Sequence, residues 1–264
     1  MAADVVRTIR IFYSYAHKDL EFRNDIERHL ATLRRLGYIT TWYDREILPG
    51  TKWEYEIDAH LDSADIILPL VSSHFINSDY CWGKELTMAL DRYNNRKTLV
   101  VPILLSPFDY KGTLFGDLQM LPTGGKAITS WANRDDALTD VAIGIRKLVE
   151  PLRAQKLQNE SYTDYNKTNF DEALSACEEA LRLDPDNPSL YVLKGDILFE
   201  QGHFADALSA YTEATERDAD SKGHIGKARV YDYFARQSYE QAKAYELLAQ
   251  RSYTQAKLKS SKNV

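Results

Sequence analysis

The chain has 264 residues, 44% hydrophobic and 27% charged, which fits two ordinary globular domains or one large one and excludes long disorder, collagen and a coiled-coil rod. Its 39 acidic and 33 basic residues give a net charge of −6, without the basic excess usual in a nucleic-acid binder. Two cysteines, Cys81 and Cys177, are too few for a disulfide framework or a cysteine-based zinc site, and they fit a reducing, cytoplasmic compartment. The first residues, MAADVVRTIRIFYSY, lack the basic-then-apolar layout of a signal peptide. No apolar run approaches the ~18–20 residues that a bilayer crossing needs, so the expectation is a soluble intracellular protein with no membrane partner.

Residues 8–15, TIRIFYSY, are β-branched and aromatic and read as a strand. Residues 19–36 read as one helix, because Phe22, Ile26, Leu30 and Leu33 recur on one face. Asp19 is its candidate N-cap and Gly37 its candidate C′ residue. Residues 38–43, YITTWY, give a second strand, and Pro49-Gly50 marks a turn. Trp53, Ile57 and Leu61 then open a short helix. The runs 65–71, DIILPLV, and 98–105, TLVVPILL, are nearly all apolar, as strands buried on both faces are. Pro69 and Pro102 argue against regular ladders there. A helix over 80–93, a weak strand near Ala127–Ser130 and a helix over Asp135–Leu152 complete the alternation. Five strands with interleaved helices predict a doubly wound α/β fold, a five-stranded parallel sheet with helices on both faces. In such folds ligands sit beyond the carboxyl ends of the strands, which here are Ser14–His17, Asp44–Trp53, Ser72–Glu85 and Trp131.

The second half repeats at 34 residues: Asn169-Phe170-Asp171-Glu172-Ala173 returns as His203-Phe204-Ala205-Asp206-Ala207, and Ala180 as Ala214. Tyr191, Gly195 and Tyr211 fall at tetratricopeptide spacing, and a third, longer unit shows Tyr239-Glu240-Gln241-Ala242, 35 residues after Phe204. Small residues such as Ala173 and Ala207 let paired helices approach, with Phe170, Phe204 and Tyr239 filling between neighbours. The expected division is 1–152 for the sheet domain and 153–264 for helical repeats with a C-terminal capping helix and a short tail. Residues 154–220 carry 15 acids and 5 bases, and residues 222–264 carry 9 bases and 3 acids. This contrast fits solvated helix faces of unequal sign, or attraction between copies.

No GxGxxG, Walker A, HExxH or GxSxG pattern occurs, so the usual nucleotide-phosphate chemistries find no support. The informative stretch is residues 73–90, SHFINSDYCWGKELTMAL, with Ser78 or Asp79 as its candidate cap. At about 100° per residue Trp82, Leu86, Ala89 and Leu90 share an apolar arc, and Glu85 lies about 60° off Trp82, on its flank. By itself that position suits a helix-surface glutamate as well as one at the lip of a cleft.

IFYSYAHKD after the first strand, then WYDREILPGTKW, then SSHFINSDYCWGKE, resemble the successive motifs of a Toll/interleukin-1 receptor (TIR) domain over residues 7–152, in the bacterial variety. Residues 154–250 resemble tetratricopeptide (TPR) repeats. The first resemblance implies a flavodoxin-like fold and, in the NAD-cleaving branch, a catalytic glutamate on the third helix at the position of Glu85. It implies substrate contacts at Ser14, Tyr15, Asp44, Trp53, Tyr80, Trp82 and Trp131. It also implies a BB loop comprising Asp44, Leu48, Pro49, Gly50 and Trp53. The sequence departs from the family at Cys81, where relatives carry Trp, so Tyr80 and Trp82 both remain candidates for that role. Ala16-His17 stand where some relatives carry two arginines.

The implied activity is NAD⁺ glycohydrolase or ADP-ribosyl cyclase, releasing nicotinamide and ADP-ribose or a cyclic isomer. NAD⁺ is then the substrate, and no cofactor or metal is called for. The resemblance further implies activation by TIR–TIR self-association, including filaments, a setting in bacterial antiphage defence, and a protein partner or self-contact through the TPR repeats. The alternative within the same family is a non-catalytic adaptor that binds partners through the BB loop and the TPR groove.

Overall fold

The computed structural model describes residues 7–42, 53–78, 83, 85–95, 97–110, 112–113, 115–217 and 221–260, with backbone alone for 53–56, 221 and 244–260. It divides into two compact units, Met1–Lys156 and Leu157–Val264.

The first unit is built on a parallel sheet. Its strands are β1 (Ile9–Tyr15), β2 (Ile39–Trp42), β3 (Ile66–Val71), β4 (Leu99–Val100) and β5 (Ile103–Leu104). The order is β2-β1-β3-β4, with β5 continuing the pairing to β3 beyond β4. The progression of strand order reverses between β1 and β3, which makes the crevice at their carboxyl ends the topological switch point. Alternation along β1 sends Ile9, Ile11, Tyr13 and Tyr15 to one face and Phe12 to the other. The first face packs on α1 (Leu20–His29), α2 (Ala31–Arg35) and the start of α6 (Arg134–Asn166), through Ile26, Leu33, Val141 and Ile145. The second packs on α3 (Trp53–Ser63) and α5 (Leu86–Asn94), through Ile57, Leu61 and Ala89. A short helix, α4 (Ser73–Ile76), follows β3.

The two prolines explain the divided fourth strand. Ile67 pairs with Val100 and Leu70 with Ile103, so the shared offset sets Pro69 level with Pro102. Neither carries an N–H, and the ladder lapses between β4 and β5. Leu121 fills the other side: it donates to the Pro102 carbonyl at 3.0 Å and accepts from the Leu104 N–H at 2.7 Å.

Several expected elements differ. Residues 19–36 do not form one helix. A 3-10 turn over His17–Asp19 precedes α1, and the chain steps at Leu30 before α2. Asp19 does not cap α1, because its carboxylate is engaged by Ser72. Gly37 does end the segment, at φ +69°. Ala127–Ser130 is not a strand: Ile128–Ser130 is a 3-10 turn, tied to the sheet by the Thr129 N–H on the Leu105 carbonyl at 3.1 Å. The helix expected to stop at Leu152 runs on to Asn166 across Pro151. Its buried face continues past the proline as Val149, Arg153 and Leu157, and Arg153 donates to the carbonyls of Arg7 (2.9 Å) and Gly37 (3.0 Å).

The second unit contains α7 (Phe170–Leu183), α8 (Pro188–Glu200), α9 (Phe204–Arg217) and α10 (Ser221–Ser260). Asn187 caps α8, ahead of Pro188 at its first turn. Tyr211 is wholly buried and enters a slot between Gly195 and Gly226, where an added Cβ would lie 2.5 Å and 2.3 Å from its ring. α10 runs unbroken through the third motif at Tyr239. In the preceding repeats the turn passes through a left-handed residue, Thr168 (φ +63°) or Gly202 (φ +80°). The corresponding position is Gln237, which stays helical.

Candidate active site

Ser14 is the next-to-last residue of β1, and alternation turns it away from Tyr13 and Tyr15. Glu85 stands just before α5, in helical conformation (φ −63°, ψ −46°), within a wider π-type turn that includes Gly83. Such turns re-aim a side chain that a regular helix would place elsewhere. The two meet although 71 residues separate them: the Ser14 hydroxyl donates to Glu85 Oε2, with Ser14 2% and Glu85 6% exposed. The contact settles the ambiguity of the sequence reading, because Glu85 is not a surface glutamate.

A second buried pair lies beside it. Ser72 follows β3, and its hydroxyl donates to Asp19 Oδ2 at 2.6 Å. The same oxygen accepts from the N–H groups of His74 and Phe75, both at 3.1 Å, and so caps α4. Burial pushes the Asp19 carboxyl above its ordinary range, opposed in part by the Ser72 hydrogen bond and by His74. Register pairs Tyr15 with Leu70, so Ser72 lies outward of the Ser14–Glu85 level along the same two strands. The sequence offered Asp19 only as a helix cap and Ser72 only as part of a loop. The available signal was that both directly follow the two central strands.

Tyr15 and Trp131 come together on the opposite face of the sheet from Ser14. Tyr15 is buried in the cluster that holds Ile128 and Leu138, with Trp131 packed against it, and this gives Tyr15 a packing role. The Arg23 guanidinium lies 6.0 Å from the Tyr15 ring centre. Trp131 donates its Nε1–H to the Lys126 carbonyl at 3.1 Å, and the Lys126 ammonium lies 5.3 Å over its ring. Trp53 opens α3, with its backbone alone described. Asp44, Leu48, Pro49, Gly50, Tyr80 and Trp82 lie outside the described residues. Among the described residues no group of three or more His, Cys, Asp or Glu is placed to hold a metal ion, and no helix is long and apolar enough to cross a membrane.

Comparison with known proteins agrees with this architecture. Residues 11–138 match the family model of the TIR domain, and residues 167–230 match that of the tetratricopeptide repeat. The first region is a TIR domain on a parallel sheet, and the second carries TPR repeats. Both are domain types that mediate protein–protein interaction. The chain is also similar to the uncharacterized protein y4lF of Sinorhizobium fredii (strain NBRC 101917 / NGR234), at 41% identity over 137 residues. That match covers 52% of this chain and 42% of the relative's length.

Proposed function

We propose that the TIR domain cleaves the N-glycosidic bond of NAD⁺, with Glu85 as the catalytic carboxylate. The observation that supports this reading is the buried Ser14–Glu85 hydrogen bond at the switch point of the sheet. The bond from the ribose anomeric carbon to nicotinamide breaks, and both its electrons go to the pyridinium nitrogen, which becomes neutral. The ribose is left as an oxocarbenium ion. A carboxylate held beside it offsets that charge, and the effect is large where water is scarce. Ser14 fixes the orientation of the carboxylate. The other carboxylate oxygen would accept from the ribose hydroxyls.

Attack by water, which then loses a proton, gives ADP-ribose; attack by the adenine end gives a cyclic isomer. NAD⁺ is substrate throughout, and no metal or second cofactor enters the scheme. Asp44, Trp53, Tyr80 and Trp82 remain the proposed contacts to the rest of the dinucleotide, with Asp44–Trp53 as the BB loop. Glu85 offers little surface in a single chain, so self-association of TIR domains, including filaments, is the proposed activating step. NAD⁺ depletion or a cyclic signal in antiphage defence is the proposed setting, in the cytoplasm.

The test is incubation of the full chain with NAD⁺ at ~0.1 and ~50 μM protein, with products resolved by chromatography and mass detection. Nicotinamide release that rises steeply with protein concentration is expected, and Glu85→Ala should lower it on the order of 10²–10³-fold or more. Release unchanged in Glu85→Ala would remove Glu85 from the mechanism. No release at either concentration would assign the domain to partner binding.

A further inference from the structure

A cavity lies at the amino end of the sheet, away from the Ser14–Glu85 pair. Asp65 directly precedes β3, and Ser14 is level with Pro69, four residues further along. At the usual strand rise the two places are ~13 Å apart, at opposite ends of the strand. The cavity holds about 420 Å³, within the range of small-molecule sites. Asp65, Thr98 and Leu99 line it from the starts of β3 and β4, Tyr93 and Asn94 from the last turn of α5, and Lys97 from the link between. Leu152 of α6 completes the lining.

Local structure fixes these groups. The Asp65 carbonyl accepts from the Leu99 N–H at 3.0 Å and from the Thr98 hydroxyl at 3.1 Å, which joins the two strand starts. The Lys97 N–H closes the end of α5 on the Arg92 carbonyl at 2.9 Å. Its backbone is thereby anchored while its side chain stays exposed.

The lining offers three kinds of contact. Leu99 and Leu152 pack on the core with part of their surface showing, and Tyr93, 36% exposed, adds an aromatic ring. Together they suit a planar apolar group. The Asp65 carboxylate is engaged through one oxygen: Oδ2 accepts from the Lys156 ammonium at 2.7 Å and from the Arg10 N–H at 2.8 Å. Among the described residues Oδ1 has no partner. A carboxylate open on one side is the group that accepts from sugar hydroxyls in nucleotide sites. The third contact is cationic. Asp65 already has Lys156, with the Arg10 guanidinium at 3.6 Å, and Lys97 pairs with no acid among the described residues. Three cations thus stand against one carboxylate, an excess of two positive charges in a chain of net charge −6. A phosphate monoester carries about −1.5 to −2 at pH 7 and matches that excess. Asn94, whose amide also has no partner among the described residues, can donate to and accept from the edge of a heteroaromatic ring. Inorganic phosphate would leave the apolar surface and the Asp65 acceptor idle, and a neutral nucleoside would leave the charge unmatched.

We propose that this cavity binds a nucleoside 5′-monophosphate. Its nucleobase lies against Tyr93, Leu99 and Leu152 with Asn94 at the edge, its ribose hydroxyls donate to Asp65, and its phosphate meets Lys97. Neither Ser14 nor Glu85 enters, so the proposal stands or falls apart from the NAD⁺ reading.

The test is isothermal titration calorimetry of the full chain at pH 7.5 with AMP, GMP, CMP and UMP, and with the matching nucleosides and inorganic phosphate. At least one nucleotide should bind with a Kd on the order of 10–100 μM, and its nucleoside and phosphate at least about 10-fold more weakly. Lys97→Gln and Tyr93→Ala, both at exposed positions, should each weaken it on the order of 10-fold without moving the melting temperature. Glu85→Ala, checked for folding in the same way, should bind as wild type does. No binding of any of the four nucleotides at ~1 mM overturns the proposal. So does binding that Lys97→Gln and Tyr93→Ala both leave unchanged, or that folded Glu85→Ala abolishes, since either places the nucleotide elsewhere. Phosphate or nucleoside binding as tightly as the nucleotide also overturns it, by reducing the cavity to an anion site or an apolar one.

Discussion

The two units bury polar groups in different ways. In the sheet unit the buried pairs come from distant sequence: Ser14 with Glu85 across 71 residues, and Ser72 with Asp19 across 53. In the repeat unit the Tyr211 hydroxyl donates to Asp196 at 2.7 Å across only 15 residues, between neighbouring helices. Crossover connections carry remote segments to one end of a sheet, where several loops converge on a crevice. Stacked repeats contact only their neighbours, so their buried polar groups complete the fit between adjacent helices. The first arrangement gathers remote side chains at one end of the sheet, and the second makes slots between neighbouring helices.

That contrast can be broken or sharpened by substitution. The largest effect is expected at the sheet site. Glu85→Gln should lower NAD⁺ turnover on the order of 10³-fold, and Ser14→Ala about 10–100-fold, since it loses orientation while the carboxylate stays. Neither should move the melting of the repeat unit. Equal losses in both variants would make Ser14 more than a positioning residue. Next in size, Gly226→Ala should destabilise the repeats by about 2–3 kcal/mol, because its Cβ meets the buried Tyr211 ring. Denaturant melts of the full chain would register this, and a loss below ~0.5 kcal/mol would mean that the slot opens freely.

Asp19→Asn is expected to act more gently, through pH. The folded state holds the Asp19 carboxyl above its ordinary 3.8, so the protonated form is favoured on folding. Its contribution is fully present below the unfolded pKa and is lost as pH rises through the folded value. Relative to Asp19→Asn, which keeps an acceptor for Ser72, wild type should therefore lose stability as pH climbs from about 3.8. Parallel curves from pH 3 to 7 would show that Asp19 titrates normally. The smallest effect concerns Cys177, wholly buried and donating to the Leu190 carbonyl at 3.3 Å. Burial raises its thiol to about 12, so native protein treated with iodoacetamide at pH 8 should keep Cys177 unmodified by peptide mass analysis.

The sequence was most legible where a single segment decides the outcome. Composition and apolar runs located β1 to β3, helical spacing located the helix around Ile57, and the 34-residue repeat located the one at Phe170. It failed where the deciding partner is remote. Asp19 resembles a cap until Ser72, beyond β3, takes its carboxylate. Ala127–Ser130 resembles a strand until its position beside Leu105 bends it into a turn. The third repeat resembles the other two at Tyr239, yet α10 runs on through Gln237, where the other two pass through a left-handed residue. At the site, the family resemblance singled out Glu85, but no spacing rule pairs it with Ser14. Tyr15 seemed to share its neighbour's role until strand alternation sent the two to opposite faces.

The facing prolines bear on how one sheet can meet another. A lateral edge invites a foreign strand only where a run of free N–H and C=O groups offers a template. On the β4/β5 side the imino nitrogen of Pro102 offers no donor, and Leu121 already occupies the Pro102 carbonyl and the Leu104 N–H. The opposite margin, β2, is four residues long. The sheet is therefore poorly suited to growth by strand addition, and copies of this domain would have to recognise one another through side chains and helix surfaces.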